Sequence, residues 1–85
     1  MNEMIKNMVS YVLDKKYPGW VEEIGVTTER DLGSYYIDDK RNYIINVFIG
    51  MAEEHQESNK LGIVHLVEDT IKSMGIPNRV LFFWN

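Results

Sequence analysis

Cysteine is absent from this 85-residue chain, which excludes a disulfide framework, a thiolate zinc site, an iron–sulfur cluster and a cysteine nucleophile together. Stability has to come from packing. Proline is nearly absent as well: only Pro18 and Pro77 occur, and both stand where a periodic pattern stops. No apolar run approaches the roughly 18 residues that a membrane-spanning helix needs. Glu3 and Lys6 interrupt the apolar residues at the N-terminus, so no secretory signal and a cytoplasmic location are expected.

An excess of positive charge is missing too. Nine Lys and Arg stand against thirteen Asp and Glu, giving a net charge of −4 and a pI near 5.0. That is the wrong sign for embracing phosphates. The basic residues are scattered, adjacent only at Lys15-Lys16 and Lys40-Arg41, so no basic stripe offsets the overall sign. Direct contact with nucleic acid or with a membrane is therefore not expected.

Signatures of catalysis are equally scarce. The six glycines form neither a GxGxxG fingerprint nor a phosphate-binding loop, and the serines lie in no nucleophile elbow. His55 and His65 are ten residues apart, and neither has a second histidine one helical turn away. His65 does precede Glu68 and Asp69 at helical spacing, a partial carboxylate–histidine set to which Glu54 or His55 would have to add a ligand. A solvated helix face explains the same pattern more simply. The acidic pairs Glu22-Glu23, Asp38-Asp39, Glu53-Glu54 and Glu68-Asp69 read as surface charge, because sequence neighbours on a strand point to opposite faces. No metal, cofactor or catalytic residue is assigned.

What is present describes a small α+β domain. Hydrophobic residues make up 45% and charged residues 26% of the chain, ordinary globular values, and 85 residues hold one core, so residues 1–85 are read as a single domain. Met1, Met4, Ile5, Met8, Val9, Val12 and Leu13 recur at helical spacing, and the helix should end near Tyr17, before Pro18-Gly19. Alternation from Trp20 through Ile24, Val26 and Thr28 predicts a strand. After a turn at residues 30–33, Ser34 to Ile37 suits a second, with a hairpin tip over residues 38–42. Tyr43 to Ile49 is apolar on both faces, as the middle strand of a sheet requires. The tract Ala52 to Lys60 has lost every large apolar residue and reads as a solvated loop or a frayed helix start. Leu61, Val64, Val67, Ile71 and Met74 mark a second helix, and Arg79 to Trp84 a final buried strand.

The expected order is α-β-β-β-α-β. It predicts a two-layer sandwich: a four-stranded, mostly antiparallel sheet with two helices on one face and a parallel C-terminal strand. The other sheet face then lies open, and five tyrosines, three phenylalanines and two tryptophans are too many to hide behind one covered face. One of Tyr35 and Tyr36, one of Phe82 and Phe83, and also Phe48 should face away from the helices. An exposed aromatic patch marks an interface.

In size and acidity, though in no alignable motif, the chain resembles the small acidic inhibitors that bacteriophages and mobile elements deploy against host nucleases and defence complexes, anti-CRISPR proteins among them. The resemblance implies a non-enzymatic protein that occludes a basic, nucleic-acid-binding partner. The residues expected to make that contact are Glu53, Glu54 and Glu57 in the polar tract, with Tyr35, Tyr36, Phe48 and Phe83 on the sheet. Two other readings remain: a metal-dependent hydrolase using His65 with Glu68 or Asp69, and a homodimer built on the open sheet face.

Overall fold

A computed structural model describes residues 2–30, 43–75 and 78–85. Ser34 to Ile37, with Tyr35 and Tyr36, the turn before it and the tip at residues 38–42 lie outside the described residues. The elements are α1 (Asn2–Lys16), β1 (Val21–Arg30), β2 (Tyr43–Met51), α2 (Glu53–Ser73) and β3 (Asn78–Trp84). This is an α+β fold with two helices and, among the described residues, a three-stranded mixed sheet of order β1-β2-β3. β2 is central, antiparallel to β1 and parallel to β3. The C-terminal strand is parallel to its neighbour, as expected, because α2 carries the chain from the end of β2 back to the start of β3; the fourth strand of the expected sheet lies outside the described residues.

Helix α1 carries Glu3 in its first turn and Lys15 and Lys16 in its last, matching charge to the dipole at both ends. It stops in a turn in which Trp20 N–H donates to the Tyr17 carbonyl at 3.3 Å. Pro18 fits the first central position of that turn, and Gly19, at φ +77°, takes the left-handed position after it. Strand β1 opens at Val21 rather than Trp20. A register shift between Val21 and Glu23 turns Val21 toward Met51 and Ile24 toward Ile49, which breaks the expected alternation from Trp20.

The core is one cluster: Ile5, Val9 and Leu13 of α1, Val26 of β1, Ile45, Val47, Ile49 and Met51 of β2, and Ile63, Val67 and Ile71 of α2. Burying such side chains contributes about 1.5 to 3 kcal/mol each. On α1 the buried stripe is narrower than expected. Ile5, Val9 and Leu13, four residues apart, are fully buried, whereas Met4 and Met8 are exposed.

For α2 the structure decides one expectation and corrects another. The helix begins at Glu53, so of the two readings of the AEEHQESNK tract the helix start holds and the loop does not. Its stripe is also rotated: Leu61 is 71% exposed, while Ile63, absent from the expected stripe, is fully buried with Val67, Thr70 and Ile71. Thr70 tolerates burial because its hydroxyl donates to the Leu66 carbonyl at 2.7 Å. The C-terminal end closes as expected, with Gly75 at φ +72° and its N–H bonded to the Lys72 carbonyl.

Candidate functional site: the outer sheet face

Register decides which side chains meet on the face away from the core. Val26 pairs with Val47, and Val47 with Phe82, so these three positions share the inner face; one residue along, Gly25, Phe48 and Phe83 share the outer one. The choice between Phe82 and Phe83 is thereby made: Phe82 packs against the core, and Phe83 is 46% exposed beside Phe48 at 43%. Their rings stack with centroids 4.9 Å apart and planes 19° from parallel, a favourable aromatic geometry. A Cβ placed on Gly25 would lie 3.6 Å from the Phe48 Cβ, so the Phe48 side chain lies across Gly25. Leu81 is exposed on the same face, and Ile44 is half-buried there.

The next row toward the end of the sheet is Glu23 opposite Gly50, followed by Asn85, whose N–H donates to the Ile49 carbonyl at 3.0 Å. A Cβ on Gly50 would come within 3.3 Å of the Glu23 Cβ, so the glycine leaves room for the glutamate. Together Glu23, Gly25, Phe48, Gly50, Phe83 and Asn85 line a hollow of about 360 Å³. Sequence reasoning had singled out the two phenylalanines but missed Glu23, Gly25 and Gly50. Their significance lies in cross-strand neighbours, which no local pattern reveals.

Glu53, Glu54 and Glu57 are exposed, as expected, but on the first turns of α2. Only Ala52 separates Glu53 from Met51, the last residue of β2, which pairs with Val21 beside Glu22 and Glu23. The acidic turn therefore adjoins the end of the sheet that carries the hollow. Gln56 ties it there, its Nε2 donating to the Met51 carbonyl at 2.8 Å and also to the Asn85 carbonyl. Two aromatic contacts hold the same turns. His55 stacks on Trp20 at 5.2 Å with planes 2° apart, and Lys60 Nζ sits 5.3 Å from the Trp84 ring centroid.

His65, Glu68 and Asp69 are exposed and line a polar groove with Lys72, Asn78 and Arg79. His55 lies elsewhere, against Trp20, with Nε2 3.5 Å from a Glu54 carboxylate oxygen. Among the described residues, no group of three or more His, Cys, Asp or Glu side chains is placed to hold a metal ion. No described helix is long and apolar enough to cross a membrane. Compared with known proteins, the chain matches no family model, no curated sequence and no solved structure.

Proposed function

We propose that this protein is a non-enzymatic binding module whose outer sheet face and adjoining acidic helix turn cover a basic surface of a protein partner. Inhibition by occlusion of a nucleic-acid-binding protein is the role this chemistry suits, of the kind phages and mobile elements use. The reading takes the arrangement to be two-layered, with the helices over the inner face and, among the described residues, no element over the outer one. The observation that carries it is the stacked Phe48–Phe83 pair, nearly half exposed at the centre of the sheet. Such rings are the anchors that dominate interface energetics, and nearby carboxylates speed encounter with a cation-rich surface.

The test is affinity capture from the source cell with the wild-type chain and a Phe48→Ser/Phe83→Ser variant, read by quantitative mass spectrometry. A stoichiometric basic protein, held by the wild type and lost from the folded variant, is the expected result. Equal capture by both proteins overturns the reading. Sedimentation of the purified chain supplies the other arm: a dimer dispersed by the same substitutions would replace the foreign partner with a second copy.

A further inference from the structure

We infer that the hollow beside the stacked phenylalanines is a socket for one arginine side chain presented by the basic partner. The inference rests on the protein-binding reading above and specifies what the outer face grips. Gly25 and Gly50 keep side chains out of the floor of the hollow, Phe48 and Phe83 supply an aromatic wall, and Glu23 supplies a carboxylate. That combination suits a planar, weakly hydrated cation. A guanidinium stacks on an aromatic ring and forks onto a carboxylate, whereas an ammonium is more strongly hydrated and lacks the planar fork.

Other occupants fit less well. An anion would meet Glu23 in the hollow and the carboxylates of Glu22, Glu53 and Glu54 at the same end of the sheet. A purely apolar side chain would desolvate Glu23 without pairing it. A second copy carries the same net charge of −4, so two such acidic ends repel as they approach. The chain already makes related contacts within itself: Lys60 lies over Trp84 and Lys15 over Tyr11, each 5.3 Å from the ring centroid.

The test is a ¹⁵N–¹H titration of the intact chain with three blocked pentapeptides that differ only at their centre: acetyl-Gly-Gly-Arg-Gly-Gly-amide and its lysine and citrulline counterparts. The arginine peptide should shift the amides of Gly25, Phe48, Gly50 and Phe83 and bind about two- to fivefold more tightly than the lysine peptide. The citrulline peptide should leave them in place. Glu23→Gln, whose unchanged spectrum elsewhere reports intact folding, should weaken the arginine peptide by a similar factor. Equal arginine and lysine shifts confined to Glu53, Glu54 and Glu57 would overturn the socket while sparing the acidic-surface reading. No shift on the outer face would also overturn the socket, and the capture experiment would then judge the wider reading alone. Outer-face shifts that follow dilution without peptide would assign the face to a second copy and overturn both.

Discussion

Gly62 sits on the exposed side of α2, where replacing glycine by alanine ordinarily stabilises a helix by about 0.8 to 1 kcal/mol. Here a Cβ would fall 2.5 Å from the Tyr17 hydroxyl oxygen and 3.8 Å from the ring carbon that bears it. The first distance is far inside van der Waals contact, and the second is ordinary packing. Tyr17 cannot swing aside freely, because its ring packs against the core and lies 5.8 Å from that of Trp20. Overpacking of this kind costs about 1 to 3 kcal/mol. Gly62→Ala should therefore be neutral to destabilising by about 2 kcal/mol. In a Tyr17→Phe background the offending atom is gone, and the same substitution should stabilise by about 1 kcal/mol.

The double-mutant cycle thus predicts a coupling of about 1 to 3 kcal/mol between residues 17 and 62. Urea denaturation followed by circular dichroism measures it; for a domain of this size each 1 kcal/mol also moves Tm by about 4 to 8 °C. If Gly62→Ala stabilises equally in both backgrounds, Tyr17, just past α1, does not close on α2 at this point. The account of why a glycine interrupts an otherwise good helix would then be wrong.

Ile63→Ala should cost about 2 to 5 kcal/mol and Leu61→Ala less than about 0.5 kcal/mol in the same denaturation assay, and similar costs would refute the orientation of α2. Changing Glu53, Glu54 and Glu57 to Lys should slow association with a basic partner and flatten its salt dependence by surface plasmon resonance. The same change should reduce stability measurably, because Glu53 and Glu54 lie in the first turn of α2, where reversing an acid costs about 0.3 to 1 kcal/mol. Gln56→Ala should loosen the end of the sheet by about 1 to 2 kcal/mol, seen as faster amide exchange at Asn85; an unchanged rate would refute the clamp.

The elements legible in the sequence are those whose order is local. Ile5, Val9 and Leu13 declare α1 through their spacing, and the two-sided apolarity of Tyr43 to Ile49 declares a central strand, because both periods follow from backbone geometry alone. The start of α2 is different. Nothing apolar in AEEHQESNK anchors a helix, and its first turns are held from outside, by Trp20 on His55, Trp84 beneath Lys60, and the carbonyls of Met51 and Asn85 on Gln56. The orientation of α2 was ambiguous for a related reason. The run Leu61-Gly62-Ile63-Val64-His65-Leu66-Val67 supports more than one apolar stripe. Tertiary packing buries Ile63 and leaves Leu61 out.

The same division runs through the candidate site. Strict alternation requires one of Phe82 and Phe83 to face outward, but alternation within β3 does not say which, nor what stands beside it. Both answers come from pairing β3 to β2 in parallel, which sets Phe82 beside Val47 of the core and Phe83 beside Phe48. The bulge near Val21 serves the core rather than the hollow. It lets Val21 join the core beside Met51, one residue out of step, whereas Glu23 faces outward opposite Gly50 by unbroken alternation with Gly25. The pairing of β1 with β2, which no hydrophobic period within either strand reveals, is what sets the Glu23 carboxylate beside the exposed aromatics.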